Sequence, residues 1–164
     1  MRVRPRGRVV FAGLGLLLAA GLAASRPPLL LVNESHSVPS GLYRRAASSP
    51  HRGDLVALRQ PPAARSYLRR LGAPPGMRLL KRVAARGGDP VCAQGAGLSW
   101  PGGAARRLAR DRRGARLPQW TGCRPLAGDE LLLLGDTPDS FDSRYFGPVP
   151  RAAVDGVYVE ILRW

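Results

Sequence analysis

Lysine, histidine and cysteine are scarce in this chain of 164 residues: one lysine, two histidines and two cysteines. So few imidazole and thiolate ligands, with no C-x-x-C pair and no histidine cluster, leave a zinc or iron–sulfur centre without a donor set. No metal or cofactor is expected. Acidic side chains are also few, 11 against 26 basic ones, for a formal net charge of +15. Such a balance by itself suggests nucleic acid or anionic lipid as a partner. Aromatics make up only 6% of the residues, however, and no stretch interleaves them with arginine as a single-strand stacking surface would. No helix-turn-helix spacing and no internal repeat is present. Nucleic-acid binding is not expected, and the arginines read as a solvated surface.

Long apolar runs are absent but for one. Arg2, Arg4, Arg6 and Arg8 precede an uninterrupted apolar stretch from Val9 to Ala24, which Ser25, Arg26, Pro27 and Pro28 end. It is slightly short for a spanning helix of roughly 17 to 25 residues and long for the apolar core of a cleavable signal. Cleavage after Ala23 and retention as an anchor, with Arg26 snorkelling, are both open. Under either, the arginines stay on the cytoplasmic side and the rest of the chain is exported. This predicts a basic tail and membrane helix over residues 1–28 and an exported domain over 29–164. In such a domain Cys92 and Cys123 most simply form one disulfide, with two buried free thiols as the alternative.

Downstream, turn signals separate short apolar stretches. Leu29 to Arg45 reads as an extended strand followed by a turn at Pro39, Ser40 and Gly41. Gly53 to Arg59 reads as a strand, and Pro61 to Gly72 as a helix with prolines at its start, Tyr67, Leu68 and Leu71 along one side and Gly72 just past its end. "MRLLKRVAA" suits a buried strand, with helix as its rival. Gly95 to Gly122 is loop-like and basic, a covering loop or small subdomain bracketed by the cysteines at about 92–123. Glu130 to Asp136 and Asp155 to Trp164 read as strands around a structured loop, with Asp89 and Asp136 as turn formers. About six strands and one helix predict a mainly β domain.

The one lysine, Lys81, sits among Leu79, Leu80 and Val83. Coding bias toward arginine accounts for a single lysine as readily as chemistry does, but the two cations are not equivalent. A guanidinium keeps its proton, whereas a buried ammonium can lose it near neutral pH and act as a base. A base needs a nucleophile, and serine is the usual partner where histidine is missing. His36 adjoins Ser37 on an extended strand and points to the opposite face, and no motif argues for His51. Ser35 and Ser37, two apart, share a face. That would offer one hydroxyl as nucleophile and another as oxyanion donor beside the Ser37 N–H.

In order along the chain, "SHSVP", "RGDLVAL", "LLKRVAARGGDPV" and "GDTPDSFDSRYFGPV" resemble the motif set of type I signal peptidases, over about Asn33 to Trp164. The pattern Asn-x-Ser-x-Ser-x-Pro-x-Gly-x-Tyr from Asn33 to Tyr43, and "LPQWTGCRPL", resemble its conjugative-transfer (TraF-like) branch. Val38-Pro39 departs from the general leader peptidases, as does the lack of their large additional β domain and second membrane span. The resemblance implies a signal-peptidase/LexA-like β fold, with Ser37 as nucleophile, Lys81 as general base and Ser35 as oxyanion donor. It makes Ser140 the serine that hydrogen-bonds and orients the lysine, and Asp142 with Arg144 an ion pair bracing the site. On the residues alone, Ser140 also suits an ST-turn and Asp142 with Arg144 a surface pair.

The expected activity is a Ser-Lys endopeptidase at the outer face of the bacterial inner membrane, with its catalytic domain in the periplasm. Its expected partners are membrane lipid and an exported precursor, a pilin precursor by resemblance. The acyl-enzyme would be resolved by water or, in a cyclising variant, by a substrate amine. A LexA-like self-cleaving protease shares the dyad but fits poorly with an export segment and no DNA-binding domain. A non-catalytic membrane-anchored scaffold is the remaining alternative.

Overall fold

The computed structural model describes residues 26–164. The expected basic tail and membrane helix lie outside the described residues, among which no helix is long and apolar enough to cross a membrane. The domain is mainly β, as expected, with eleven strands among the described residues rather than about six.

Seven strands form one antiparallel sheet: β1 (Leu30–Asn33), β2 (Gly41–Ala46), β3 (Leu55–Arg59), β4 (Arg78–Arg86), β9 (Glu130–Leu134), β10 (Val149–Pro150) and β11 (Val154–Arg163). Their spatial order is β1-β2-β11-β3-β4-β9-β10. The "MRLLKRVAA" stretch is strand, not helix, because both its faces are covered. Leu79 and Val83 join Val56, Leu58, Leu131 and Leu133 in one core cluster, while Leu80 packs with Val38, Tyr43, Ala57 and Tyr158 in another. The run of four leucines in β9 has the same cause. Leu131 and Leu133 enter the first cluster, and Leu132 and Leu134 pack on the opposite face with Val91, Ala93 and Leu98. Period-2 alternation with apolar residues at every position is the signature of a strand buried on both sides. Each such leucine contributes about 1.5–3 kcal/mol by leaving water.

Helix α1 (Pro62–Arg70) covers the first cluster with Ala64 and Leu68. Pro61 is its N-cap and Pro62 its first residue, where a missing N–H costs nothing. Gly72, at φ 80°, takes the left-handed conformation just past the end. Leu71 does not follow Tyr67 and Leu68 into the core; it caps the helix and is 45% exposed. A second helix, α2 (Ser143–Phe146), was not anticipated and lies inside the expected structured loop.

The largest departure is the stretch expected to be loop. A second, four-stranded antiparallel sheet, ordered β7-β6-β5-β8, is built from β5 (Pro90–Gln94), β6 (Gly97–Trp100), β7 (Gly103–Arg106) and β8 (Gly122–Pro125). Its strands show little alternation because only Val91, Ala93 and Leu98 are fully buried against the large sheet, with Trp100 partly so, and the outer face is solvated. Cys92 and Cys123 stand opposite each other in the β5–β8 register and are joined by a disulfide.

Strand β4 pairs with β3 through Arg78 to Arg82 and with β9 through Arg82 to Arg86. From Arg78 to Lys81 the β9 side of β4 therefore has no strand partner among the described residues, and Gly135 carries the chain away from the sheet. The turn between β1 and β2 enters this gap.

Candidate active site

Ser35 and Ser37 do not sit on an extended strand. Strand β1 stops at Asn33, and residues 35–38 form a turn. The Asn33 side chain is the cause. Buried at 7% exposure, it donates through Nδ2 to the carbonyls of Ser35, Val38 and Pro39 at 2.9–3.0 Å. Its Oδ1 accepts from the Ser35 N–H and, at 2.7 Å, from the Ser35 hydroxyl. An Asx turn with this many partners outcompetes a strand ladder. The Tyr43 hydroxyl donates to the Pro39 carbonyl at 2.7 Å, and Val38 anchors the turn in the cluster of Leu80 and Ala57. Ser35 and Ser37 still meet, with their hydroxyls 3.1 Å apart, but through a turn and not through strand alternation.

Lys81 projects from β4 on the face of Leu79 and Val83, and its Nζ donates to Ser37 Oγ at 2.6 Å. Leu80, expected beside it in an apolar shell, belongs to the other core cluster. Only 3% of Lys81 is exposed. Loss of water lowers its ammonium from 10.5 to about 8. The Asp142 carboxylate opposes that shift, the Arg144 guanidinium adds to it, and Asp136 opposes it. A substantial neutral fraction then exists near neutral pH. In that fraction the 2.6 Å contact runs the other way, with the Ser37 hydroxyl donating to the amine.

Asp142 and Arg144 are not a surface pair. Both side chains are almost fully buried, Arg144 Nη2 lies 2.6 Å from Asp142 Oδ2, and Arg144 Nε donates to Oδ1 at 2.9 Å. Asp142 also accepts from the Gly135 N–H and caps α2 through the Arg144 N–H. Arg144 donates in addition to the carbonyls of Thr137 and Pro138 at 2.8 and 2.5 Å. The pair thus fixes the Gly135–Pro138 segment, and that segment holds the serine: the Asp136 N–H donates to the Ser37 carbonyl at 2.6 Å. Asp136 is more than a turn former, since its carboxylate takes two 2.8 Å hydrogen bonds from Arg82. Asp89 keeps its turn role, accepting from the Arg86 N–H, and also pairs with Arg52.

Ser140 is buried and lines the same cleft, but its hydroxyl makes no hydrogen bond to Lys81 or to any described group. It rests against Gly135, where a Cβ would strike the Ser140 hydroxyl and come 2.8 Å from the Ser37 carbonyl oxygen. Glycine at 135 is thus a condition for serine, turn and loop to meet. Two residues that sequence reasoning left without a role, Asn33 and Gly135, are therefore central to the geometry. An asparagine two residues before a serine was the available signal for the first; a close backbone approach leaves none for the second. His36 is exposed at the mouth of the cleft, and His51 lies in the turn before β3, its Nδ1 3.7 Å from Asp54. Neither bonds to Ser37.

The cleft has a volume of about 480 Å³, with Leu68, Met77, Leu79 and Phe141 forming its apolar wall opposite the serine turn. A buried amine of lowered basicity on a serine hydroxyl, beside a second hydroxyl and a peptide-sized groove, is equipped for acyl transfer.

The family model described as signal peptidase, peptidase S26, matches residues 10–164. Two Escherichia coli proteins named plasmid transfer protein TraF are similar along nearly their whole length. One is 34% identical over 168 residues, 93% of this chain and 92% of the relative, and the other 31% identical over 170 residues, 95% and 94%. A crystal structure of a signal peptidase I from Enterococcus faecalis aligns at 25% identity with a TM-score of 0.40, covering 68% of this chain and 98% of that one.

Proposed function

Since this chain belongs to the signal peptidase S26 family, we propose that it is a membrane-tethered serine endopeptidase with Ser37 and Lys81 as catalytic dyad, processing exported precursors of a conjugative transfer system. The observation that carries the dyad is the 2.6 Å contact between Lys81 Nζ and Ser37 Oγ, with the amine buried and its basicity lowered. The names of the two TraF relatives support the transfer context; a pilin precursor is the substrate proposed within it.

Neutral Lys81 takes the Ser37 proton as the Oγ attacks the scissile carbonyl. The Ser37 N–H, which makes no hydrogen bond among the described residues, and the Ser35 hydroxyl, turning from Asn33, face the oxyanion as donors. Lys81 then passes its proton to the leaving amine. The acyl ester is resolved by water that Lys81 deprotonates, giving a linear product, or by a substrate amine, giving a ring. Asp142 and Arg144 hold the loop against which the serine turn rests, and Ser140 lines the cleft beside them.

A membrane location with the catalytic domain on the periplasmic side is supported by the apolar run Val9–Ala24 and by one face of the large sheet. Cross-strand register aligns Val32, Leu42 and Leu162 in one row, and Leu30, Arg44 and Val159 in the next. Leu30, Val32 and Leu162 are more than half exposed, as is Trp164. This face adjoins Pro28, where the chain arrives from the apolar run, and suits contact with lipid acyl chains and headgroups.

The test is conversion of a co-expressed pilin precursor in membranes, followed by mass spectrometry, with wild type, Ser37→Ala and Lys81→Arg side by side. Only the wild type should convert it, and a product lighter by one water than the linear chain identifies cyclisation. Conversion by Lys81→Arg, which a scaffold would tolerate, overturns the dyad.

A further inference from the structure

Lys81 and Arg82 are successive residues of β4 and point to opposite sides of it. Lys81 lines the serine cleft, whereas Arg82 lines a second pocket of about 530 Å³, and Thr137 lines both. The segment Gly135–Pro138 is therefore a ridge between two pockets. It is a stiff ridge, held by Arg144 from below and by the Asp136–Ser37 hydrogen bond at its crest.

The far wall of the second pocket belongs to the small sheet, which supplies Trp100, Ala105 and Arg106. The indole of Trp100 lies over its own hairpin. A Cβ at Gly102 would come within 3.0 Å of Nε1, and one at Gly103 within 3.2 Å of the six-membered ring. Those two glycines let the indole lie flat. Among the described residues the Trp100 N–H has no hydrogen-bond partner and Arg106 has neither hydrogen bond nor ion pair through its side chain. Arg82 and Arg144, the other two cations on the pocket, are engaged by Asp136 and Asp142. The pocket is thus an apolar shelf with one unneutralised guanidinium at its rim.

A polypeptide attacked by Ser37 extends on both sides of the reacting carbonyl, and the serine cleft accommodates one of them. We infer that the pocket between the small sheet and the Gly135–Pro138 ridge receives the other side of the substrate chain, placing an apolar side chain on Trp100 and an acidic group on Arg106. This rests on the peptidase reading above and adds to it a substrate class: chains carrying an adjacent apolar–acidic pair a few residues from the scissile bond. It also gives the small sheet a role in specificity, since it supplies the one free charge.

The experiment uses the full-length protein in detergent and a set of internally quenched peptides with small residues at the cleavage point. A Leu-Glu, Leu-Gln or Leu-Lys pair is moved through successive positions on either side. For wild type, Leu-Glu should exceed Leu-Lys in kcat/KM by about five- to tenfold at positions on one side only. Arg106→Glu should invert that preference, and a urea denaturation midpoint matching that of wild type certifies its fold. Trp100→Ala should raise KM for all three peptides at those positions. Equal cleavage of Leu-Glu and Leu-Lys at every position, or a preference that Arg106→Glu leaves unchanged, overturns the inference while the dyad stands. Failure of wild type to cleave any of the set removes the peptidase reading and this inference with it.

Discussion

The two sheets bury one arginine each in opposite ways. Arg144, below the large sheet's cleft, meets a carboxylate through two nitrogens and neighbouring carbonyls with the rest. Arg107, in the small-sheet region, is 3% exposed; it donates to the carbonyls of Trp120 and Gly95, and among the described residues it reaches no carboxylate and its Nε has no partner. Burial correspondingly lowers the Arg107 basicity. A buried cation is costly unless paired and hydrogen-bonded. The large sheet meets that cost with a countercharge, because a loop that must hold a serine in place has to be fixed by directional bonds. The small sheet tolerates the lesser arrangement because a disulfide ties β5 to β8. Polar precision is concentrated at the cleft, and covalent constraint stands in for it elsewhere.

Lys81→Met tests the cleft side of this contrast with the largest effect. Activity should fall by about 10³-fold or more, because the proposed general base is gone. Wild-type kcat/KM should rise with pH, about tenfold per unit, and level off near 8, where Lys81 loses its proton. Stability should also rise with pH, but over a higher window. The folded lysine titrates at about 8 and the unfolded one near 10.4, so between those values the unfolded chain binds more protons and wild-type stability rises with pH. Below pH 8 the whole cost of burying the ammonium is present, about 3 kcal/mol. Lys81→Met should therefore be more stable than wild type at pH 7 by up to that amount, with the gain fading toward pH 10.5. Urea titrations at the two pH values read this directly. A methionine variant less stable than wild type at pH 7 would mean that the lysine is held by compensating bonds and not strained by burial.

Asp142→Ala sharpens the contrast between the two arginines. It leaves Arg144 buried without its carboxylate, the state in which Arg107 already exists, and also removes the cap of α2 and the bond to Gly135 N–H. The expected loss is about 3–5 kcal/mol in chemical denaturation. A loss below about 1 kcal/mol would show that carbonyl oxygens suffice for both guanidiniums, and the two regions would no longer differ in kind.

The same contrast explains what could be read in the sequence. Strands β3, β4, β9 and β11 and helix α1 were legible because burial on two faces, or proline and glycine at the ends, leaves a pattern in one dimension. Ser37 and Lys81 were legible as a pair because a lone lysine among arginines stands out, and because the order of motifs carried the rest. The turn at Ser35–Val38 was not, since its cause is Asn33 bonding to carbonyls up to six residues away, where alternation alone favours strand. Strands β6, β7 and β8 were hidden by their length and by glycine and arginine facing solvent. Ser140, expected to hydrogen-bond Lys81, lines the cleft without bonding to it, because its hydroxyl lies against the bare Cα of Gly135, a contact between residues that no local pattern links.

The small sheet's own device gives the last and smallest of these effects. Replacing both cysteines with alanine removes a crosslink spanning 31 residues, and the chain-entropy account puts the loss at about 3 to 4 kcal/mol. That penalty should fall on global unfolding alone. Asn33, Ser35, Ser37, Lys81, Gly135 and Asp142 are all placed by the large sheet and the loops attached to it, so kcat toward a short peptide filling only the serine cleft should stay within about twofold of wild type. Thermal denaturation with parallel kinetics separates the two readouts. Stability lost with kcat intact supports a division of labour in which the disulfide secures the fold while hydrogen bonds position the chemistry. A kcat that falls with stability would mean that strain in the small sheet reaches Ser37 through the shared packing of Leu98 with Leu132 and Leu134. The leucine face of β9 would then be part of the positioning apparatus, and the Asp142–Arg144 pair would not be enough to isolate the serine turn from the sheet behind it.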